Sequence, residues 1–362
     1  MKKLLLISSI CTLAAVLCPA QENRIPFADP YILEADGIYY MYGTSYDDGI
    51  GVVMSTDLKN WTVPGGTERH VALSKDDSFG NFWFWAPEVY HVGDSYYMYY
   101  SSEEHICAAV SDSPLGPFRQ EKHVPMLEEK GIDNSLFIDD DGTPYIFWVR
   151  FRNGNEIWSA ELEDDLMTIK KETMRFCMKM SQKWEKIWPA VNEGPFVVKH
   201  KGRYYLTYSA NSYESQDYGI GYATADSICG PWVKYDRNPV LCRPEGLYGV
   251  GHHALFKDHH GRNRITFHSH FSDTKIHPRV IHISNWRIDR KGILRISRRK
   301  IRTPQMAEMR RNSKSYLSQI LFRRKYDGKP YSEFKDMLVP GDYCPASIVA
   351  GTYYLEGIFK IF

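Results

Sequence analysis

One pattern occurs five times in this chain of 362 residues and constrains the fold more than any other feature. Each copy has a short apolar strand, a turn that contains Gly, and a second strand rich in Tyr, Phe and Trp. This order is the pattern of a β-hairpin. The clearest copy begins at Glu193, turns at Gly202 and ends at Tyr208. The turn glycines of the five copies are Gly37, Gly93, Gly142, Gly202 and Gly261.

The spacing of these glycines, 49 to 60 residues, predicts the fold class. A repeat of about 50 residues that holds only short strands is typical of a β-propeller with one four-stranded blade per repeat. Aromatic residues make up 14% of the chain, which favours strands over long helices. A two-domain α/β fold would need helices of about 10 residues or more between the strands, and the repeats show no such pattern. We therefore predict an all-β protein, a five-bladed β-propeller over residues 22–303.

The N-terminal residues have the pattern of a secretory signal peptide, which we assign to residues 1–20. Lys2 and Lys3 precede an apolar run from Leu4 to Leu17, and Ala20 supplies a small residue at the expected cleavage site. The alternative is a membrane anchor, but the run is too short to cross a bilayer comfortably. The sequence thus predicts an exported protein, periplasmic or extracellular, without a membrane span.

Residues 304–362 fall outside the repeat, and we leave this C-terminal extension unassigned. Residues 306–325 are compatible with one amphipathic helix, and Tyr353–Leu355 with a final strand. A formal net charge of +1 gives no support for nucleic acid or a membrane surface as a partner. After loss of the signal peptide an odd number of cysteines remains; Cys229 and Cys242 are one pair that could form a disulfide.

Counting back from the turn glycines aligns the five copies with one another. Asp133, Glu193 and His252 stand nine residues before their glycines, and Asp29 and Trp85 stand eight residues before theirs. In a propeller, equivalent positions of the innermost strands face one central funnel. We therefore expect these five side chains to converge, although they are far apart along the chain.

Three carboxylates in one funnel indicate glycoside hydrolysis. In that reaction one carboxylic acid protonates the leaving oxygen, and a second, ionised carboxylate activates water or attacks the sugar. A third acid helps to hold the first two at different pKa values, because like charges raise the proton affinity of a neighbour. Each acid alone would be read as a turn or cap residue, but three at matching positions favour a catalytic site.

At these motifs the sequence resembles glycoside hydrolase family 43. The resemblance covers about residues 24–290 and rests on Ala28-Asp29-Pro30, Trp85-Ala86-Pro87-Glu88, Ile132-Asp133, Glu193-Gly194-Pro195 and Gly249-Val250-Gly251-His252. It implies an inverting, five-bladed enzyme active mainly on arabinose- and xylose-containing polysaccharides. By residue-for-residue match, Asp29 would be the general base, Glu193 the general acid, and Asp133 the residue that raises the pKa of the acid and orients it. Inversion would require the base and acid carboxyls to be about 6.5–9.5 Å apart.

The same resemblance suggests three further site residues. His252 matches a funnel histidine that often contacts a bound calcium ion or water cluster; the alternative is a hydrogen-bonded core histidine, since calcium prefers oxygen ligands. Arg279 matches an arginine that hydrogen-bonds the terminal sugar, and Trp85 would line the sugar site. No cofactor is expected to be required, and a structural calcium in the central funnel stays open. Glu88 lies outside the common register, which indicates a structural or supporting role, and His268 is expected in the core or the funnel wall.

The predicted function is an exported inverting glycosidase that releases terminal α-L-arabinofuranosyl or β-D-xylosyl units from plant-type polysaccharides. A carbohydrate-binding propeller without activity is one alternative, and the three acids argue against it. A galactosidase or a retaining fructan-cleaving propeller is another. The fructan type would show Asn-Asp-Pro-Asn-Gly in the first blade and Glu-Cys at the acid, whereas this chain has Ala28-Asp29-Pro30-Tyr31 and Glu193-Gly194.

Overall fold

The computed structural model describes residues 23–307 except Trp188 and Ala190. The predicted signal peptide lies outside the described residues, and so do residues 308–362. Among the described residues, no helix is long and apolar enough to cross a membrane.

The described chain is all-β, as predicted, and its strands form five blades that follow one another in sequence. The strands of the first two blades are β1 (Ala28–Ala35), β2 (Ile38–Tyr46), β3 (Gly49–Ser55), β4 (Asn60–Trp61), β5 (Val71–Ser74), β6 (Trp85–Val92), β7 (Ser95–Ser102) and β8 (His105–Ser111). The third and fourth blades contain β9 (Gly131–Ile138), β10 (Pro144–Arg152), β11 (Gly154–Glu161), β12 (Arg175–Met178), β13 (Asn192–His200), β14 (Arg203–Ala210), β15 (Gly219–Ala225) and β16 (Val233–Lys234). The fifth blade contains β17 (Gly251–Lys257), β18 (Asn263–Ser269), β19 (Val280–Ile288) and β20 (Leu294–Ile296), and β21 (Gln305–Met306) follows it. Single 3₁₀ turns occupy Pro64–Gly66, Lys75–Asp77, Lys171–Thr173, Lys183–Lys186 and Pro244–Gly246.

The innermost strands close a ring. Each contacts the next in the order β1, β6, β9, β13, β17, and β17 contacts β1 again. The aromatic strands recognised in the sequence are the second strands of the blades, and they supply many buried rings, including Tyr42, Tyr100, Trp148 and Tyr208. Burial of one large apolar side chain contributes roughly 1.5–3 kcal/mol to the stability of the fold. Together these aromatic side chains therefore stabilise the five-bladed structure.

Blade 2 departs from the predicted four strands. Its sheet has three, β6-β7-β8, and only an isolated bridge between Val110 and Arg119 continues it outward. The intervening Phe118 donates its backbone N–H to Ala72 O of blade 1 at 2.7 Å. The segment is therefore shared between two blades and does not form a full outer strand.

The last described strand joins the first blade. β21 pairs in parallel with β4, and the Met306 N–H donates to Asn23 O at 2.6 Å. Met306, where the predicted C-terminal helix would begin, thus lies in a strand, because its backbone is paired with the N-terminal segment. The remainder of that predicted helix, and the predicted strand after it, lie outside the described residues.

Every innermost strand carries a β-bulge near its beginning, where two residues oppose one on the second strand. The first bulge residue has a positive φ in all five blades, and these residues are Asp29, Ala86, Asp133, Gly194 and His252. Asp29, Asp133 and His252 are therefore equivalent, as predicted. Trp85 and Glu193 each stand one residue before the bulge, so the single register predicted for all five was wrong for these two.

The bulge N–H of each blade is bound by the preceding blade. The acceptors are Thr44 Oγ1 for Ala86 (3.0 Å), Ser101 Oγ for Asp133 (2.9 Å), Ser209 Oγ for His252 (2.9 Å) and His268 Nδ1 for Asp29 (3.3 Å). In blade 3 the corresponding position is Val149, which has no acceptor in its side chain. The Gly194 N–H instead donates to Asp133 Oδ2 at 3.0 Å. This exception ties Asp133 to the residue that follows Glu193.

Candidate active site

The bulges bring the predicted acids and the predicted histidine together at the funnel. His252 Nδ1 lies 3.7 Å from Asp29 Oδ1 and 3.8 Å from Asp133 Oδ2. Asp133 in turn accepts the Gly194 N–H, next to Glu193. Four of the five converging residues predicted from the repeat therefore share one site.

Asp29 is held in its ionised form by two neighbouring side chains, Thr44 and Arg279. Thr44 Oγ1 donates to Asp29 Oδ2 at 2.6 Å, and Arg279 Nη1 donates to Oδ1 at 2.8 Å. His268 Nδ1 lies 3.2 Å from the same Oδ1. Burial on its own raises the pKa of Asp29, but the charge of Arg279 is the largest of the opposing effects, which together hold that pKa well below its usual value. Asp29 is thus an available proton acceptor at neutral pH.

The surroundings of Glu193 raise its pKa, whereas those of Asp29 lower the pKa of Asp29. Glu193 Oε1 accepts a hydrogen bond from the Tyr218 hydroxyl at 2.8 Å, and Oε2 accepts one from Asn155 Nδ2 at 3.4 Å. Burial, and after it the charge of Asp133, raises the pKa of Glu193 to about 8. Glu193 therefore carries its proton at neutral pH.

Asp133 lies close to residues beside both groups. His252, near Asp29, is 3.8 Å from Asp133 Oδ2, and the same oxygen accepts the Gly194 N–H, next to Glu193. Burial raises the pKa of Asp133, and the charge of Asp29 adds to that effect, while His252 and the Gly194 N–H oppose it. Its carboxylate is fixed by the Gly194 N–H, so its charge stays beside Glu193. Two titratable groups whose environments push their pKa values apart are the requirement for paired acid and base catalysis.

His268 forms part of the funnel wall, as predicted. It is completely buried, with its ring nearly parallel to those of His252 (centroids 6.3 Å apart) and Tyr218 (5.8 Å). Burial, and next the charge of Arg279, lowers the pKa of His268 to about 3. A neutral imidazole therefore packs against the Asp29 carboxylate without neutralising it.

Trp85 and Arg279 are connected to Asp29 in different ways, Arg279 directly and Trp85 only through its neighbour Ala86 and Thr44. The Ala86 N–H next to Trp85 donates to Thr44, which binds Asp29. Arg279 lies over the ring of Tyr213, 4.9 Å from its centroid. The Nε atom of Arg279 is buried and has no hydrogen-bond partner among the described residues.

Sequence reasoning missed three residues that contact the acids. Thr44 lies just beyond the aromatic strand recognised in the first repeat, and the register of β1 against β2, Ala28 opposite Thr44, is the signal that finds it. Tyr218 and Asn155 belong to segments outside the recognised motifs, and no pattern in the sequence marks them. Their contacts with Glu193 arise only from the packing of blades 3 and 4.

Glu88, expected to have a supporting role, lies in the next inward position of β6. It accepts a hydrogen bond from the Tyr90 hydroxyl. Burial raises the pKa of Glu88 to about 8, and the charge of Asp133 adds to the effect. Glu88 thus keeps its proton at neutral pH, and it lies close enough to Asp133 for that charge to act on it.

A calcium ion beside His252 stays a prediction, and the side chains around it do not form a calcium cage. Nowhere among the described residues do three His, Cys, Asp or Glu side chains lie close enough to hold a metal ion. Calcium takes about six to eight oxygen ligands. The nearest carboxylate oxygens belong to Asp29 and Asp133, and that of Asp29 is already paired with Arg279.

The cysteines of the described region are free. Cys229 is exposed and Cys242 is partly buried, and they form no disulfide. Cys107 and Cys177 are buried thiols within blades 2 and 3. The suggested Cys229–Cys242 pair is therefore not present.

The sequence and the fold of this chain are similar to those of known proteins. The family model "Glycosyl hydrolases family 43" matches residues 24–293. A structure titled endo-1,4-beta-xylanase, from Bacteroides thetaiotaomicron VPI-5482, is 47% identical with a TM-score of 0.75, covering 80% of this chain and 99% of that one. A thermostable family-43 glycoside hydrolase is 36% identical with a TM-score of 0.70, covering 77% of this chain and 95% of that one.

Among curated proteins, a xylosidase/arabinosidase of Butyrivibrio fibrisolvens is 29% identical over 255 residues. The match covers 65% of this chain and 47% of that protein. The chain therefore spans about half the length of this relative.

Proposed function

Because the chain belongs to family 43 of the glycosyl hydrolases, we propose that it is an inverting glycoside hydrolase that releases terminal pentosyl units, α-L-arabinofuranosyl or β-D-xylosyl, from plant-type glycans. The observation that carries this proposal is that the pKa values of two buried carboxyl groups in one funnel are shifted in opposite directions. The pKa of Asp29 is held well below its usual value, and that of Glu193 is raised to about 8. A site that only binds sugar does not need such a pair.

In the proposed mechanism, Asp29 accepts a proton from a water molecule, whose oxygen attacks the anomeric carbon of the sugar. Glu193 gives its proton to the glycosidic oxygen as the bond from that oxygen to the anomeric carbon breaks. The new hydroxyl is on the face opposite the leaving group, so the configuration is inverted. Asp133 keeps Glu193 protonated through its charge and holds the backbone at Gly194 in place.

The proposed substrate class is supported by two side chains of the site and by the names of similar proteins. Arg279 lies beside the base with part of its side chain exposed, which suits a hydroxyl of the terminal sugar, and Trp85 suits the apolar face of that sugar. The relative from Butyrivibrio fibrisolvens is named for both pentoses. A second candidate, internal cleavage of a xylan chain, is favoured by the 47% identity to the protein titled endo-1,4-beta-xylanase. The Lys2-Lys3 and apolar N-terminal pattern supports action outside the cytoplasm.

The first experiment is hydrolysis of an aryl-glycoside panel, with the product configuration followed by proton NMR. The panel contains the α-L-arabinofuranoside, β-D-xyloside, β-D-galactoside and β-D-fructofuranoside, tested with wild type, Asp29→Ala and Glu193→Ala. We expect one pentose to be released with inversion, and a loss of about 10²–10⁴-fold in each variant. Retention of configuration would overturn the assigned roles. Binding of oligosaccharide without cleavage of any substrate would favour the binding module.

Chromatography of products from xylo- and arabino-oligosaccharides separates the two candidate modes. Release of single pentoses alone supports terminal cleavage. Early formation of intermediate-length products supports internal cleavage.

A further inference from the structure

Two exposed aromatic side chains stand beside the catalytic funnel, in the loop between β5 and β6. From their geometry we propose that Phe82 and Trp83 form a binding platform for a pyranose unit of the glycan, next to the sugar held at the carboxylates. This inference rests on the proposed function and deepens it, because it names the class of the neighbouring sugar.

The platform leaves apolar surface in water. Phe82 is 46% exposed and Trp83 50% exposed. Fully buried aromatic rings are among the most stabilising side chains of a core, so two adjacent rings left open forgo that contribution. Two adjacent exposed aromatic rings are more informative than single scattered apolar side chains, which are common on protein surfaces.

The backbone under the two rings is fixed to the β7–β8 hairpin. Phe82 O accepts hydrogen bonds from Ser102 Oγ at 2.9 Å and from the Glu103 N–H at 3.3 Å. The Asn81 N–H and Asn81 Nδ2 both donate to Glu103 Oε1, at 2.9 and 3.1 Å. A platform whose backbone is already ordered loses less conformational entropy when a ligand binds.

The same loop holds one strained residue, Trp83, and one position that only glycine fits, Gly80. Trp83 has φ of 61°, a left-handed conformation that is rare for a bulky side chain. Gly80 has φ of 99°, and a Cβ there would lie 1.9 Å from Ser102 Oγ. Backbone strain of this kind persists where the surroundings enforce it, and it is concentrated at functional sites.

The rings continue from the predicted sugar site outward. Trp83 is stacked on Trp85, with centroids 5.3 Å apart and planes 18° apart. Phe82 lies edge-on to Trp83 at 5.0 Å. Trp85 adjoins Ala86, whose N–H donates to the Thr44 hydroxyl that binds Asp29. A glycan that reaches the carboxylates along this side therefore passes over Trp83.

The flat, uncharged surface of an indole selects the kind of sugar. A pyranose ring with equatorial hydroxyl groups exposes only C–H bonds on both faces, and those faces match an aromatic ring in size and polarity. A furanose ring is smaller and puckered, and it contacts an indole over less area. The platform therefore fits a β-linked pyranose chain better than a run of furanose units.

The test compares Trp83→Ala with Phe176→Ala. Phe176 is a matched control because it is 47% exposed and lies in β12, the outermost strand of blade 3. We expect Trp83→Ala to lower kcat/KM for β-1,4-xylohexaose about tenfold, and to lower kcat/KM for the aryl pentoside, whose aryl group covers less of the platform, by a clearly smaller factor. Phe176→Ala should change neither value. Equal losses on both substrates, or equal effects of both variants, would overturn the platform.

Binding to a catalytically impaired protein separates this inference from the proposed activity. Calorimetry with Glu193→Gln, alone and combined with Trp83→Ala, measures the affinity for xylohexaose and for an α-1,5-linked arabinohexaose. We expect Trp83→Ala to weaken binding of the xylohexaose about tenfold and that of the arabinohexaose much less. That result would support the platform even if the wild type cleaved no substrate, in which case only the proposed function would fail. Unchanged xylohexaose binding would refute the platform whatever the activity. Trp83→Phe, which keeps a flat ring, should retain most of the affinity.

Discussion

The carboxylate of Asp133 accepts the backbone N–H of Gly194 at 3.0 Å. At the other four junctions between blades the bulge N–H is bound by Thr44, Ser101, Ser209 or His268. Only the junction that leads to Glu193 uses an acid, because Val149 stands where an acceptor would be needed. One hydrogen bond thus fixes the charge of Asp133 beside the proposed acid.

Asp133→Asn should move the alkaline limb of the pH profile of kcat/KM to lower pH. The charge of Asp133 is the largest cause after burial that raises the pKa of Glu193, and asparagine can still accept the Gly194 N–H. Without that charge Glu193 loses its proton at lower pH, so the active form disappears earlier as pH rises. The measurement is kcat/KM against pH for an aryl pentoside. Asp140→Asn, in an exposed turn, is the control and should leave the limb in place.

Tyr218→Phe should move the same limb in the opposite direction. The Tyr218 hydroxyl donates to Glu193 Oε1 at 2.8 Å and thereby lowers the pKa of Glu193 against the effect of burial. Its removal raises that pKa above about 8, so activity persists to higher pH. Tyr205→Phe removes a hydroxyl bound to Gly292 O and serves as the control. A purely structural role of Tyr218 would lower kcat/KM at every pH without moving the limb.

Arg279→Ala should move the acidic limb to higher pH. Arg279 Nη1 lies 2.8 Å from Asp29 Oδ1, and its charge is the main influence that overcomes burial and keeps the pKa of Asp29 low. Without it, Asp29 becomes protonated at higher pH, and the base is lost earlier as pH falls. Arg279→Lys keeps a positive charge, so it should leave the limb closer to that of the wild type. An acidic limb at the same pH in both variants would contradict this role of Arg279.

Glu88→Gln should stabilise the protein increasingly as pH rises from 5 to 8. Burial raises the pKa of Glu88 to about 8, well above its value in an unfolded chain. Between these two pKa values the unfolded state has lost the proton and the folded state keeps it, so wild-type stability falls by up to about 1.4 kcal/mol per pH unit. Glutamine removes this dependence. The check is the difference in Tm between variant and wild type across that range; a constant difference would refute it.

Lys234→Met should destabilise the fold by about 3–5 kcal/mol, because it leaves a buried carboxylate without its partner. Lys234 Nζ lies 2.5 Å from Glu185 Oε1, and the two side chains are only 8% and 0% exposed. It also donates to Asn192 Oδ1 at 2.8 Å, next to Glu193. Urea unfolding measures the loss. Lys170→Met, in longer and more exposed ion pairs, should cost less than about 1 kcal/mol.

Much of the fold could be predicted from the sequence, because turn residues and strand composition determine the hairpins locally. A Gly turn between an apolar and an aromatic strand specifies a hairpin by itself, so five hairpins at a period near 50 residues predicted the blades and their order. The same hairpins placed Asp29, Asp133 and His252 at equivalent positions, since all three begin a bulge.

Three features could be seen only in the tertiary structure: the register of the innermost strands, the partners of two short segments, and the pKa values of the acids. Trp85 and Glu193 stand one position off the common register because the hairpin turns differ in length. Two residues separate the paired ends at Val92/Ser95 and His200/Arg203, whereas five separate those at Ile138/Pro144 and Lys257/Asn263. The segment at Phe118 bonds to blade 1, and β21 pairs with β4, through backbone groups that carry no sequence signal. The pKa of Asp29 depends on Arg279, 250 residues away, and that of Glu193 on burial and on Asp133. The sequence determined which acids are present, but only the closed ring of blades determined which of them is ionised.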